Sequence, residues 1–305
     1  MSDTMLTEAP TPHPPGDVVL RATGIAKSFF GVQVLSGIDI TVRRGEVHGL
    51  VGENGAGKST LMKILAGVHH TDEGTVEFEG EAVTFSHPLQ AMNAGLVTVF
   101  QEFNLLPERT VAQNVFLGRE PRKAGFIDRK AMITRTRELL DDLGVTFIDP
   151  SARVGSLSVA EQQIVEIVKA LSFEARVISM DEPTAALSDA EVELLYAIIH
   201  RLTARGVAVI YVSHRLKEIF DLCNTITILK DGALVSSDAT EDLTPDELVR
   251  RMVGRPIQSF FPGPIEGTVV GAPRLELQGC GNEYVDNVTL TLHAGEIVGV
   301  AGLQG

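Results

Sequence analysis

The sequence predicts an α/β fold built on a largely parallel sheet whose two faces are covered by helices. Three observations support this prediction. Short apolar strands alternate with amphipathic helical segments between residues 47 and 229. A glycine-rich turn joins one of these strands to the helix that follows it, at residues 52–59. An acidic pair, Asp181–Glu182, follows another apolar strand directly.

The first hundred residues are predicted to contain short strands and one helix. Apolar or alternating stretches bounded by turn residues predict strands at 20–29, 38–42, 47–51, 75–78, 82–85 and 96–100. The fourth and fifth strands flank Glu79–Gly80–Glu81 and are predicted to form a hairpin. Residues 58–66 are predicted as a helix, because apolar side chains share one helical face and Gly67 stands where a C-terminal cap belongs.

The region of about 103–170 is predicted to be an inserted helical arm. Asp128 is a candidate N-cap, apolar residues recur at helical spacing after it, and Gly144 ends the pattern. Ser158 and Glu161 form a capping-box pattern ahead of a second helix. Beyond the arm, strands are predicted at 177–180, 207–212 and 225–229, with a helix from Ser188 to about Ala204.

Composition limits the classes of function. The chain has 305 residues and a formal net charge of −14, so it should be repelled by nucleic acid unless a local basic patch reverses the field. No apolar run approaches the roughly 18 residues that cross a bilayer. The two cysteines, Cys223 and Cys280, lie outside any metal-ligand spacing, which indicates reduced thiols in a cytosolic protein.

The domain organisation is predicted from prolines and from an internal repeat. Residues 1–17 are acidic and proline-rich and are predicted to be a disordered leader. Five prolines indicate a linker at 245–273, between a nucleotide-binding domain at 18–244 and a second domain at 274–305. Residues 38–55 and 288–305 resemble each other at a constant offset of 250, with matched glycines at 49, 52, 55 and 299, 302, 305. The sequence therefore predicts one complete module followed by the first strands of another.

Residues 52–59 match the phosphate-binding pattern G-x-x-x-x-G-K-[ST]. Glycines let consecutive backbone N–H groups turn towards a phosphate, and the following helix presents its positive end. Lys58 is predicted to reach the β- and γ-phosphates, and the Ser59 hydroxyl to bind Mg²⁺. The predicted nucleotide-binding residues in this loop are Gly52, Glu53, Asn54, Gly55, Ala56, Gly57, Lys58, Ser59 and Thr60.

Asp181 and Glu182 are predicted to complete the site. A carboxylate at the end of a strand in the same sheet as the phosphate loop can hold Mg²⁺, and this role is predicted for Asp181. The adjacent Glu182 can orient or deprotonate the attacking water. A bare Asp-Glu pair is more often an exposed acidic turn, so the prediction depends on its combination with the phosphate loop.

The spacing of these motifs resembles that of the ATP-binding cassette (ABC) ATPases over residues 20–305. The resemblance implies ATP and Mg²⁺ as cofactors and a P-loop NTPase fold of ABC type, in which the parallel core is joined by an antiparallel β subdomain and a helical subdomain. It implies that Phe29 stacks on adenine, Gln101 senses the γ-phosphate and Mg²⁺, and His214 holds the γ-phosphate and the water near Glu182. Ser158, in Leu-Ser-Val-Ala-Glu-Gln-Gln, stands where the family's signature binds the ATP of the opposite module. Both signature glycines are replaced, which weakens that assignment.

Within the family, four features resemble the ATPase subunits of bacterial monosaccharide importers of the ribose, galactose and xylose type. These features are the phosphate loop with its helix, the segment after Gln101, the degenerate signature and the two modules. The resemblance implies membrane permease subunits, a periplasmic sugar-binding protein, and a second ABC module or homodimer as partners, with no nucleic acid. It places the protein on the cytoplasmic face of the inner membrane, bound through its permease.

Two other functions remain open at the level of sequence. A soluble tandem ABC protein acting on ribosomes or DNA would also carry two modules, although the charge of −14 opposes it. A fragment that binds nucleotide without turnover is the third hypothesis, because each ABC site takes its signature from another module.

Overall fold

The computed structural model describes residues 16–253, 271–283 and 285–300. The chain divides into two compact units, 1–255 and 256–305. The predicted leader up to residue 15, most of the predicted linker, and Gly302 and Gly305 of the repeat lie outside the described residues.

A ten-stranded sheet organises the first unit. In chain order its strands are β1 (Val18–Phe29), β2 (Val32–Arg43), β3 (Val47–Val51), β4 (Glu73–Phe78), β5 (Glu81–Val83) and β6 (Leu96–Val99). Two short strands, β7 (Arg122–Lys123) and β8 (Phe126–Ile127), pair only with each other. The sheet is completed by β9 (Val177–Asp181), β10 (Ala208–Val212), β11 (Thr225–Lys230) and β12 (Ala233–Ala239). The spatial order is β5-β4-β1-β2-β12-β11-β3-β10-β9-β6.

Eight α-helices accompany these strands in the described part of the first unit. They are α1 (Lys58–Leu65), α2 (Pro88–Ala94), α3 (Val111–Val115), α4 (Arg129–Asp142), α5 (Val159–Leu171), α6 (Asp189–Ala204), α7 (Leu216–Leu222) and α8 (Pro245–Val253). Helices α3, α4 and α5 pack on one another, and all three begin within the region predicted as a helical arm.

The parallel part of the sheet has both faces covered, as the sequence predicts. Strands β11, β3, β10, β9 and β6 run parallel to one another. Every residue of β10 is buried, and alternate side chains enter different cores: Tyr211 joins the cluster under the helical arm, whereas Ile210 joins the cluster around α1. Strands β1, β2, β4 and β5 pair antiparallel, which gives the predicted β subdomain.

The predicted linker is partly wrong, because its first nine residues form α8. Pro245 is the first residue of this helix, a position where proline costs no hydrogen bond and already has a helical φ. Asp246 and Glu247 occupy the first turn, where the helix dipole favours acidic side chains. Leu248 is fully buried, and the Lys230 ammonium donates to the carbonyl of Val253 at 3.1 Å. The first unit therefore extends at least nine residues past the predicted boundary at 244.

In the second unit, the described residues contain one hairpin. Its strands are β13 (Pro273–Cys280) and β14 (Val288–His293), paired antiparallel. Leu290 and Leu292 pair with Leu277 and Leu275. The repeat-equivalent positions in β2 are Ile40 and Val42, which pair with Ala22 and Leu20 of β1. The described part of the repeat thus has the same register as its first copy.

Candidate functional site

The candidate site lies where the parallel strands end. The phosphate loop follows β3, Asp181 ends β9, and Gln101 and His214 stand two residues beyond the ends of β6 and β10. Carboxyl ends of parallel strands share one edge of a sheet, and ligands bind there in open α/β sheets. The fold therefore brings together residues that are up to 162 positions apart in the chain.

Two glycines of the phosphate loop have no room for a side chain. A Cβ on Gly52 would lie 2.3 Å from the carbonyl oxygen of Leu229. A Cβ on Gly57 would lie 2.4 Å from the Leu35 side chain, and the φ of Gly57 is +98°, in the left-handed region. Gly57 caps the amino end of α1, so its backbone conformation sets the direction in which the first helical N–H groups point.

Lys58 is a buried cation at the floor of the loop. Its ammonium donates to the carbonyl oxygens of Gly52 at 2.7 Å and Glu53 at 3.1 Å. Burial lowers the Lys58 pKa, while the charges of Glu182 and Asp181 oppose that shift. A desolvated ammonium bound only by neutral carbonyls is well placed to exchange them for phosphate oxygens.

A cleft of about 460 Å³ opens over this loop. It is lined by Val34, Asn54, Gly55, Ala56, Gly57, Lys58, Ser59, Thr60, Gln101, Asp181 and Glu182. Most of the residues that the sequence selects for nucleotide and metal binding thus surround one cavity. Five of the predicted site residues are not among the lining residues: Phe29, Gly52, Glu53, Ser158 and His214. Val34 lines the cleft and was not predicted from the sequence.

Asp181 and Ser59 form the oxygen-rich side of the cleft. The Ser59 hydroxyl lies 3.5 Å from Oδ2 of Asp181, and Gln101 lines the same cavity. Hydroxyl, amide and carboxylate oxygens are the donors that Mg²⁺ prefers, with substrate phosphates supplying further ligands. The donor set therefore fits this ion. Burial and the neighbouring Glu182 raise the Asp181 pKa, while the nearby Lys58 charge opposes that shift.

Replacing Asp181 with asparagine is expected to stabilise the nucleotide-free protein. A carboxyl group whose pKa is raised by folding lowers the free energy of unfolding as the pH rises through its pKa in the folded protein. This destabilisation is therefore present at neutral pH and is removed when the carboxyl group becomes an amide. The midpoint of thermal unfolding should rise, by about 2–4 °C for each 1 kcal/mol of stabilisation in a domain of this size. Scanning calorimetry with and without magnesium nucleotide checks this, because stabilisation by that ligand should shrink in the variant. A lower midpoint in the nucleotide-free variant would contradict the expectation.

Glu182 and His214 form a hydrogen-bonded pair across two neighbouring strands. His214 Nδ1 lies 3.0 Å from Oε1 of Glu182. Glu182 has a φ of +48°, and its amide donates to the carbonyl of Val212 at 2.9 Å. A left-handed backbone is rare for a residue other than glycine, and here it directs the carboxylate towards the end of the next strand. A carboxylate paired with an imidazole at the mouth of a phosphate cleft can hold a water molecule and accept its proton.

Ser158 is the N-cap of α5 and is engaged within its own helix. Its hydroxyl accepts the amide of Glu161 at 3.2 Å, and its amide donates to Oε2 of Glu161 at 2.7 Å. The capping box is thus confirmed. Binding of Ser158 to a nucleotide of another module stays a prediction.

Phe29 contacts a histidine rather than the cleft. Its ring centroid lies 5.1 Å from that of His69 in an edge-to-face arrangement, with the Lys27 ammonium 5.4 Å from the ring. The neighbouring Phe30 is fully exposed and has a φ of +51°. Adenine stacking by Phe29 also stays a prediction.

Two buried polar contacts support the site, and the sequence analysis did not anticipate either of them. Ser179 is the one polar residue among positions 177–180 of β9, and its hydroxyl lies 2.7 Å from that of Thr98 on β6, which accounts for a polar residue there. Glu218 on α7 is 3% exposed and accepts hydroxyl hydrogen bonds from Thr184, Tyr211 and Ser213. The sequence signal for the buried Glu218 was a glutamate close to Ile219 and Leu222 on one helix. This signal could not be used because helix α7 was not predicted.

Comparison with known proteins gives consistent matches. Residues 35–185 match the ABC transporter family. The chain is 49% identical over 288 residues to "Ribose import ATP-binding protein RbsA 1" of Rubrobacter xylanophilus, covering 94% of this chain and 57% of that protein. It is 42% identical over 292 residues to "Galactose/methyl galactoside import ATP-binding protein MglA" of Sodalis glossinidius, covering 95% of this chain and 57% of that protein. The chain thus spans little more than half the length of these relatives.

Solved structures share the fold. The ADP conformation of MJ1267, an ATP-binding cassette of an ABC transporter, matches with a TM-score of 0.68 and 26% identity, over 78% of this chain and all of that chain. cbiO1 from Clostridium perfringens, part of the ABC transporter complex cbiONQ, matches with a TM-score of 0.67 and 22% identity, over 80% of this chain and 97% of that chain. The second match supports the fold alone.

Proposed function

Because the chain belongs to the ABC transporter family, we propose that it binds and hydrolyses ATP to energise import of a monosaccharide through a membrane permease. The observation that carries the proposal is the Glu182–His214 pair at the mouth of the phosphate cleft, with 3.0 Å between the two side chains. The relatives named as ribose and galactose import ATP-binding proteins supply the transport context.

Binding of the triphosphate uses the loop and the buried lysine. Residues 54–60 line the cleft and include the amino end of α1, so anionic oxygens meet N–H donors and the positive end of a helix dipole. The Lys58 ammonium then exchanges carbonyl partners for phosphate oxygens. Each charge-assisted hydrogen bond contributes about 1.5–3 kcal/mol.

Mg²⁺, when bound, would neutralise charge on the β- and γ-phosphates and fix their geometry. Ser59, Asp181 and Gln101 would hold it. Glu182 orients a water molecule towards the γ-phosphate and accepts its proton at the carboxylate, while the imidazole of His214 fixes that carboxylate and reaches the phosphate.

The domain and partner assignments belong to the same proposal. We infer that residues 18–253 form one nucleotide-binding module and that residues 274–300 begin a second, because β13 and β14 repeat the register of β1 and β2. A second module or a second copy would supply the signature that completes each site.

Among the described residues, no helix is both long enough and apolar enough to cross a bilayer. We propose attachment to the cytoplasmic face of the inner membrane through permease subunits that receive sugar from a periplasmic binding protein.

Affinity capture is expected to separate import from the alternatives. The full chain, cross-linked in its own cells and purified from detergent extracts, should retain a polytopic permease and a sugar-binding protein in stoichiometric amounts. The charge of −14 makes retention of ribosomes or DNA unfavourable. Enrichment of ribosomes or DNA without a permease would overturn the transport assignment. Calorimetry with magnesium ATP tests the nucleotide assignment separately.

A further inference from the structure

Glu218 is a buried carboxylate with no role in the mechanism above. Its side chain is 5% exposed and projects from α7 beneath the candidate site. Oε1 accepts the Thr184 hydroxyl at 2.7 Å and faces the Arg215 guanidinium at 3.4 Å. Oε2 accepts the hydroxyls of Tyr211 at 3.0 Å and Ser213 at 2.8 Å.

These four donors occupy the full capacity of the group. An ionised carboxylate only accepts hydrogen bonds and has about four lone-pair positions. Burial and the neighbouring Glu218 charge raise the Tyr211 pKa, so the phenol remains a donor. The Ser213 hydroxyl accepts the Arg215 amide at 3.0 Å and donates its own hydrogen to Glu218.

Two of the donors belong to the loops that carry the catalytic pair. Thr184 stands two residues after Glu182, in the loop that follows β9. Ser213 immediately precedes His214, in the loop that follows β10. The two loops leave neighbouring parallel strands, and one carboxylate binds both of them directly.

We propose that Glu218 is a positioning residue that holds the loops of Glu182 and His214 at the separation their hydrogen bond requires. The catalytic meaning of that separation rests on the proposed function. Packing constrains the pair only in part, because 25% of the Glu182 side chain and 61% of the His214 side chain are solvent-accessible. The buried hydrogen bonds from Thr184 and Ser213 to Glu218 constrain the backbone close to both members of the pair.

Glutamine at 218 is the informative substitution, because it keeps the volume and removes the acceptor-only character. Its amide NH₂ would face hydroxyls that donate in the native protein, so at least one of them must give up its hydrogen bond to residue 218 or turn round to accept one. The substitution also removes the ionic contact with Arg215, and we expect the weakened tether to let one of the two loops move. A displacement of about 1 Å at a catalytic group can cost on the order of 10²-fold in rate.

Glu46→Gln is the matched control. Glu46 is also a buried carboxylate, 1% exposed, that accepts the Arg43 amide at 2.8 Å and contacts His48 Nδ1 at 2.9 Å. It precedes β3, at the opposite end of the strand from the phosphate loop. Glu46→Gln should therefore lower the free energy of unfolding without disturbing the Glu182–His214 hydrogen bond.

The experiment compares Glu218→Gln with Glu46→Gln in the full chain. It measures kcat and KM for magnesium ATP, the ATP dissociation constant, the unfolding midpoint, and the ¹⁵N shift of His214 Nδ1 in histidine-labelled protein. For Glu218→Gln we expect kcat to fall at least about tenfold with KM within about twofold, since positioning acts on the reacting geometry and not on phosphate binding. The Nδ1 shift should change in Glu218→Gln and not in Glu46→Gln.

A second variant separates positioning from general destabilisation. Thr184→Val removes one tether at nearly constant volume, and its loss in kcat should not add to that of Glu218→Gln in the double variant. An unchanged His214 shift in Glu218→Gln, or equal kcat losses in the two glutamine variants, would overturn the proposal. If the native chain hydrolyses no ATP, the proposed function fails, whereas the His214 shift still decides whether Glu218 positions the pair.

Discussion

Glu182→Gln is expected to keep the affinity for ATP and to lose ATP hydrolysis. The amide preserves the side-chain volume and can still contact His214, but it cannot accept the proton of the attacking water. Loss of a general base should lower kcat on the order of 10²- to 10⁴-fold, while the ATP dissociation constant stays within about twofold. Phosphate release under single-turnover conditions measures the first quantity, and calorimetry with magnesium ATP measures the second.

Glu193→Gln supplies the control for this substitution. Glu193 is exposed on α6, outside the cleft lining, and loses the same single charge. Its kcat should match that of the native chain. Normal phosphate release by Glu182→Gln would remove Glu182 from its assigned role and leave the phosphate loop assignment intact.

Lys58→Ala is expected to abolish most of the nucleotide affinity. The substitution removes a buried ammonium that the loop carbonyls hold directly beneath the cleft. Loss of one charge-assisted bond of about 1.5–3 kcal/mol weakens binding by roughly 10- to 150-fold. Calorimetric titration with magnesium ATP measures the dissociation constant.

Lys63→Ala is the matched comparison, because Lys63 lies on the same helix, is exposed and does not line the cleft. It should bind ATP as the native chain does. Equal affinities in both lysine variants would mean that ATP does not bind through residues 52–59. Lys58→Arg would extend the test, since it keeps the charge but replaces the compact ammonium between the two carbonyls with a larger, planar guanidinium.

The phosphate loop shows how local sequence can specify a site. Its glycines, its lysine and the apolar strand before it are contiguous, and each has a local reason for its conformation. Strand β3 and helix α1 were therefore predicted within one residue of their ends. The same holds for β9 and β10, whose apolar runs mark them as central strands.

Elements without a local signature were missed or misjudged. Helix α8 starts with a proline that also fits a linker, and its position depends on Leu248 packing against the first unit. Helices α2 and α7 have seven residues each, about two turns, too short for a clear hydrophobic period. Burial on the existing core, and not propensity, decides whether such segments become helices.

The sequence alone determined the fold class, the phosphate loop and the residues at the ends of the central strands, because these depend on neighbours in the chain. Only the tertiary structure decided that Glu182 meets His214 at 3.0 Å and that Glu218 binds the loops beside both. The reason is physical. Glu182 and His214 are 32 positions apart and Thr184 and Glu218 are 34 positions apart, so parallel pairing of β9 with β10 and burial of α7 set their distances.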